Sequence, residues 1–154
     1  MRLAVLILAA VVVASPPAFG QELTDEQMGP WSALEEQVGL DLKRDWEGAK
    51  KFHHPKGCYW GDISPSPVSM KAFPYYTKFR DGEDEVVAHH LVPVSVVVVD
   101  DVAIINFYLH VLTRTQKGEQ MEKIGRGHNT WKKEKGRWLL LSTYNTMVET
   151  GDDD

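Results

Sequence analysis

The sequence predicts an α+β domain in which helices come first and then pack together on one face of an antiparallel sheet. Two patterns indicate this order. In the N-terminal part, apolar residues recur at steps of three and four, which is the period of an amphipathic helix. In the C-terminal part, long valine-rich and aromatic segments are separated by short polar turns, which is typical of a chain of hairpins. Helices that precede such a sheet usually lie on one of its faces.

The first twenty residues, 1–20, are predicted to be a cleaved secretory signal. Arg2 precedes an apolar run, Leu3 to Ala14, and the small residues Ala18 and Gly20 follow it at the spacing that a signal peptidase recognises. The apolar run is shorter than the roughly 20 residues that span a bilayer. We therefore expect an exported protein, periplasmic or secreted, with no membrane contact once the signal has been removed.

The remainder is predicted to be one domain, residues 21–150, followed by a disordered acidic tail, residues 151–154. The formal net charge of −5 argues against binding to nucleic acid or to an anionic membrane surface, because both reward clustered basic residues. Cys58 is the only cysteine, so an internal disulfide is excluded and packing must stabilise the domain.

The N-terminal helices are predicted from capping and periodicity. Thr24 and Gln27 have the spacing of a capping box, and Pro30 suits the first turn of a helix. We expect one long helix or two in tandem, ending before His54 and Pro55, because proline disfavours helix at the residue before it. The apolar stripe consists of Trp31, Leu34, Val38 and Leu42 and continues with Trp46, Ala49 and Phe52.

The middle of the chain, residues 56–82, is expected to be irregular, because glycines, prolines and aromatic residues are mixed there. A loop of this length in a compact domain is usually functional or covers a pocket. Four strands should follow, with Pro93 marking a bulge or an edge. They are Val86–Val99, Val102–Arg114, Met121–Lys132 and Trp138–Val148, joined by turns at Asp100-Asp101, Gln116–Gly118 and Glu134–Gly136.

Three segments together resemble a known family: WEGAKKFHHPKGCYWGD, PVSVVVVDDVAIINFY and GRGHNTWKKEKGRWLLLSTYNT. Their succession after an amphipathic helix pair is similar to the SnoaL-like branch of the nuclear transport factor 2-like superfamily. The resemblance covers nearly all of the predicted mature chain. It implies a cone-shaped fold whose curved sheet encloses a pocket, and often a homodimer through the outer sheet face. Members include isomerases, cyclases, dehydratases and proteins that only bind or assemble.

The resemblance is weaker at two positions. His128 stands where the family pattern, here Arg126 to Trp131, usually has threonine. Tyr144 lies near the place where many members have a histidine in the last strand. The motifs therefore predict the fold better than an activity.

Candidate pocket residues follow from strand alternation and from the resemblance. Arg126, His128 and Thr130 share one face of their strand, although the sequence does not say which face is concave. The family pattern favours these residues inward with Tyr144 nearby, in a pocket for a small apolar or amphipathic molecule that carries a carbonyl, carboxylate or phenolate. The full predicted set is Tyr59, Trp60, Tyr108, Arg126, His128, Thr130 and Tyr144.

Chemistry in such a pocket would need a proton-transferring group, and the candidates are His128 and Asp62. The sequence has neither an HExxH motif nor a cysteine pair, and it lacks a glycine-rich phosphate loop ahead of a helix, so we predict no metal and no cofactor. Three functions stay open. They are a ligand-binding domain of the cell envelope, an isomerase, cyclase or dehydratase, and a dimerisation or interaction module without a ligand.

Overall fold

The computed structural model describes residues 22–61, 64–72 and 84–148, and every structural statement below concerns these ranges. The predicted signal, the predicted acidic tail and the candidate Asp62 lie outside them.

The helical part begins with α1 (Asp25–Leu42), followed by the short α2 (Trp46–Ala49) and a single 3-10 turn (Lys50–Phe52). The predicted pairing of Thr24 and Gln27 is present, because Gln27 Oε1 accepts a hydrogen bond from the Thr24 backbone nitrogen at 2.9 Å. Gln27 Nε2 also donates to the Val96 carbonyl at 2.6 Å, which fixes the start of α1 to the sheet. Pro30 lies inside α1 rather than in its first turn, so that prediction is wrong.

The sheet has six strands in the order β2-β1-β6-β5-β4-β3. Neighbouring strands are antiparallel except β1 and β6, which run parallel. The strands are β1 (His53–Gly61), β2 (Val68–Ser69), β3 (Glu85–Val99), β4 (Val102–Arg114), β5 (Gln120–Glu134) and β6 (Arg137–Val148).

The four predicted strands are found within two residues of their expected ends, and the predicted irregularity at Pro93 is a register shift between Pro93 and Ser95. The turn between β5 and β6 has two residues at positive φ, Lys135 at 50° and Gly136 at 79°. A two-residue turn of this type matches the right-handed twist of the strands it joins.

The expectation of an irregular segment over residues 56–82 is wrong for its first part, because β1 continues to Gly61. Glycines and a proline interrupt the usual strand signal there. Gly57 shows why a glycine is needed, since a Cβ atom would lie 2.9 Å from both the Leu141 carbonyl oxygen and Met70 Cγ. Long-range pairing with β6, rather than local propensity, therefore stabilises β1.

The core lies between α1 and one face of the sheet, here called the inner face. Trp31 and Leu34 of α1 pack in one cluster with alternate residues of the central strands, including Ile105 and Trp131, which are fully buried. Burying each such side chain contributes about 1.5–3 kcal/mol, so this cluster decides which face of the sheet is covered. None of the described helices is long and apolar enough to cross a membrane.

Helix α1 crosses the inner face diagonally. A Cβ atom at Gly29 would lie 2.9 Å from Trp138 Nε1 at the start of β6, and one at Gly39 would lie 4.0 Å from His89 Nε2 near the start of β3. The start of β3 pairs with the end of β4, so these two contacts lie at opposite ends of the sheet. The start of β3 lies at the same end of the sheet as the end of β6, where Asn145 lies, but three strands away from it.

Candidate functional site

Most of the predicted pocket residues lie on the sheet face that points away from α1, here called the outer face. Arg126 and His128 are exposed and Thr130 is half-buried, whereas Asn129 and Trp131, which alternate with them, are buried. The predicted inward orientation is therefore wrong. Alternation allows only one of the two sets to face the core, and burying the Trp131 indole is far more favourable than burying a guanidinium and an imidazole.

The aromatic members of that set also face outward. Trp60, Tyr108 and Tyr144 are 46%, 38% and 42% exposed, respectively. The rings of Trp60 and Tyr144 meet edge to face, with centroids 5.6 Å apart and planes at 68°. Of the predicted pocket residues, Tyr59 is the one that is inward and buried.

The candidate base His128 belongs to a row of polar groups on the outer face. Its Nδ1 lies 2.8 Å from Asn106 Oδ1 on the neighbouring strand, and Asn106 Nδ2 donates to Ser95 Oγ at 2.8 Å. This row orients the imidazole against the sheet surface. It also separates His128 from the inner face by the thickness of the sheet.

A different group of residues meets on the inner face, near the end of β6. In the register of the sheet, Asn145 of β6 pairs with Gly61 on one side and with Gly127 on the other. A Cβ atom at Gly61 would overlap the Tyr59 hydroxyl and lie 2.6 Å from its Cζ, and one at Gly127 would overlap Phe107 Cζ and lie 2.7 Å from its Cε2. An aromatic ring therefore covers each glycine.

We call this group, which consists of Tyr59, Gly61, Phe107, Gly127 and Asn145, the Asn145 corner. Its central amide is not satisfied. The Oδ1 atom of Asn145 is buried and has no hydrogen-bond partner within the described part of the chain. A buried polar atom left in this state costs about 1–3 kcal/mol, and native structures contain few of them.

The next row of the inner face contrasts with this arrangement. Thr143 pairs with Tyr59 on one side and with Asn129 on the other, and the Thr143 hydroxyl donates to Asn129 Oδ1 at 2.7 Å. Both side chains are buried, so this polar pair is complete without an external partner. Asn145 differs from its neighbours in having an acceptor that nothing in the described chain uses.

No lysine, arginine, aspartate or glutamate side chain in the described ranges is buried. Burial, and secondly the nearby Lys50 ammonium, lower the pKa of His53 to about 4, so this inner-face imidazole is neutral at pH 7. The buried polar side chains are Gln37, His54, Ser64, Thr113, Asn129 and Thr143.

A depression of about 600 Å³ lies between the end of α1 and the start of β3. Its acidic residues Asp84 and Glu85 pair with Lys123 at 3.3 Å and with Arg114 at 3.2 Å. These charges compensate one another at the surface.

Among residues 22–61, 64–72 and 84–148, no three histidine, cysteine or acidic side chains are grouped to hold a metal ion. The thiol of Cys58 is half-buried on the outer face, with Sγ 3.6 Å from Ser142 Oγ. Asp62, the other predicted catalytic residue, lies outside the described residues.

The sequence did not predict four residues of the inner face, which are Phe107, Asn129, Thr143 and Asn145. A usable signal was present for two of them. If the inward face of β5 is chosen by its largest apolar residue, Trp131, then Asn129 points inward. Thr143 pairs with Asn129 in the β5–β6 hairpin, so it points to the same face. No local signal marks Asn145, because its neighbours in the sheet come from distant parts of the chain.

No protein-family model matches the sequence, and no curated protein matches it either. Solved structures do match the fold. A ketosteroid isomerase-like protein from Erwinia carotovora atroseptica has a TM-score of 0.68 at 12% identity, over 82% of this chain and 99% of that one. An NTF2-like protein with a cystatin-like fold from Novosphingobium aromaticivorans has a TM-score of 0.62 at 16% identity, over 82% and 83%. The CaMKII hub of S. rosetta has a TM-score of 0.66 at 13% identity, over 82% and 100%.

Proposed function

Because the chain has the cone-shaped α+β fold of nuclear transport factor 2-like proteins, we propose that it is an exported domain that binds a small, largely apolar molecule at the Asn145 corner. The observation that carries this proposal is the buried Asn145 oxygen without a partner between two ring-covered glycines. A ligand that donates to this oxygen offsets its desolvation, and the adjacent rings of Tyr59 and Phe107 offer apolar contact.

Export is supported by the N-terminal pattern of a basic residue, a short apolar run and small residues before Gln21. The mature protein recovered from its own cells should start at Gln21, as measured by intact mass. A mass that includes the first twenty residues would contradict this part of the proposal.

The binding function is tested by native mass spectrometry of the protein purified from its own host. We expect a small molecule to remain bound to the wild-type protein and to be depleted in Asn145→Leu. The matched control is Asn106→Leu, which makes the same change on the outer face and should retain the molecule. A wild-type protein that carries nothing, and that binds no member of a small-molecule library, would refute the proposal.

A homodimer is a second candidate function, and the outer face favours it. Ile104, Tyr108, Tyr144, Trp60 and Val97 all point away from α1 and are between 38% and 50% exposed. An apolar sheet face of this kind is typical of a surface that a partner covers. The structures that match include a hub and an association domain, so we propose a second copy of this chain as the occupant.

The dimer is tested by sedimentation at micromolar concentration. Tyr144→Glu should convert the wild-type dimer into a monomer, because it places a charge in an apolar contact. A monomeric wild-type protein would contradict the proposal. The alternative of an isomerase, cyclase or dehydratase loses one of its two predicted proton-transferring groups from the interior, since His128 lies on the outer face.

A further inference from the structure

We infer that the ligand of the Asn145 corner is a flat, uncharged molecule that presents an N–H or O–H group from the edge of a ring system, a lactam being the simplest example. This inference rests on the proposed binding function and specifies its ligand class.

The flat shape of the ligand is inferred from the spacing of the three strands that carry Gly61, Asn145 and Gly127. Gly61, Asn145 and Gly127 occupy one level on three adjacent strands, and strands lie roughly 4.8 Å apart. The two rings that cover the glycines are thus separated by roughly 10 Å across β6, with the asparagine between them. That interval accommodates a ring system about one ring wide.

The absence of charge follows from the surroundings. In the described part of the chain, no lysine, arginine, aspartate or glutamate side chain is buried. A carboxylate brought to Asn145 would be desolvated without a cation to compensate it. An uncharged polar group avoids that penalty.

The hydrogen-bond donor follows from the asparagine itself. Its buried Oδ1 atom can only accept, and the described chain supplies no donor to it. A lactam supplies an N–H group that can donate to this oxygen. Loss of one ordinary net hydrogen bond corresponds to about tenfold in affinity.

The experiment uses 2-quinolone and 1-methyl-2-quinolone, two flat molecules that differ in the N–H donor, titrated into residues 21–154 and followed by NMR and calorimetry. We expect the N–H compound to bind about ten times more tightly to the wild-type protein. In Asn145→Leu this preference should vanish, while the methylated compound keeps its affinity. Asn106→Leu should preserve the preference, and benzoate, which is flat but charged, should bind at least tenfold more weakly than 2-quinolone.

Equal affinity of the two quinolones for the wild-type protein, or a preference that survives in Asn145→Leu, would overturn the inference. So would tight binding of benzoate. Asn145→Val repeats the test should Asn145→Leu fail to give a native near-ultraviolet spectrum.

The inference and the proposed function fail in different ways. If neither quinolone binds but a host molecule remains bound to the wild-type protein and is lost from Asn145→Leu, the ligand class is wrong and the binding function stands. If no host molecule and no library compound binds, both fall.

Discussion

Replacing Gly127 by alanine should destabilise the domain strongly, because the new methyl group would enter the space of the Phe107 ring. The Cβ atom would overlap Cζ and lie 2.7 Å from Cε2, whereas carbon atoms in contact are normally about 3.5–4.0 Å apart. The ring must therefore move by about 1 Å or more in a core where Phe107 is only 5% exposed. Overpacking of this kind costs about 1–3 kcal/mol, and we expect a value near the upper end.

The assay is urea unfolding followed by tryptophan fluorescence, arranged as a double-mutant cycle. Gly127→Ala is measured in the wild type and in Phe107→Leu, whose shorter side chain leaves space for a methyl group. We expect the cost of Gly127→Ala to fall by about 2 kcal/mol in the Phe107→Leu background. An equal cost in both backgrounds would show that the ring does not limit the site, and the description of the Asn145 corner would then be wrong.

Two further predictions concern stability. Gly39→Ala should raise the free energy of unfolding by about 0.5–1 kcal/mol in the same urea assay, because the position lies inside α1 and the added methyl group meets only His89 Nε2, at 4.0 Å; a loss of stability would contradict the contact. His53 should make stability depend on pH. Burial lowers its pKa from 6.5 to about 4 in the folded state, so between these values the unfolded chain binds more protons. The full free energy of unfolding is therefore present above pH 6.5. It falls by about 2 kcal/mol, after allowance for partial exposure of His53, as the pH drops from 6.5 towards 4. The pH profile of unfolding for His53→Gln, subtracted from that of the wild type, should show this loss, and identical profiles would exclude it.

Local patterns were sufficient to predict α1 and the four hairpin strands. The helical stripe beginning at Trp31 and the polar turns around Gly118 and Gly136 report structure within a few residues of themselves. Strand β1 was not predicted, because its pairing with β6 joins distant parts of the chain and Gly57 interrupts its pattern.

The placement of the site residues failed for a different reason. A strand of alternating residues allows two faces, and the family pattern favoured the set that contains Arg126 and His128. Because Trp131 is buried in the core, Arg126 and His128 point outward. Tyr144 pairs with His128 in the sheet, so it points outward as well. Asn145 could not be predicted, since its neighbours Gly61 and Gly127 become adjacent only when the sheet is assembled.

The parallel pairing of β1 with β6 also constrains the order in which the chain can fold. The partner of the strand that follows the helices is the last strand of the domain, so the sheet edge formed by β1 and β2 cannot be completed until residues up to Val148 are available. Contacts of such large sequence separation slow folding. A nascent chain therefore stays incompletely folded until β6 has been synthesised, a property that suits the export proposed above.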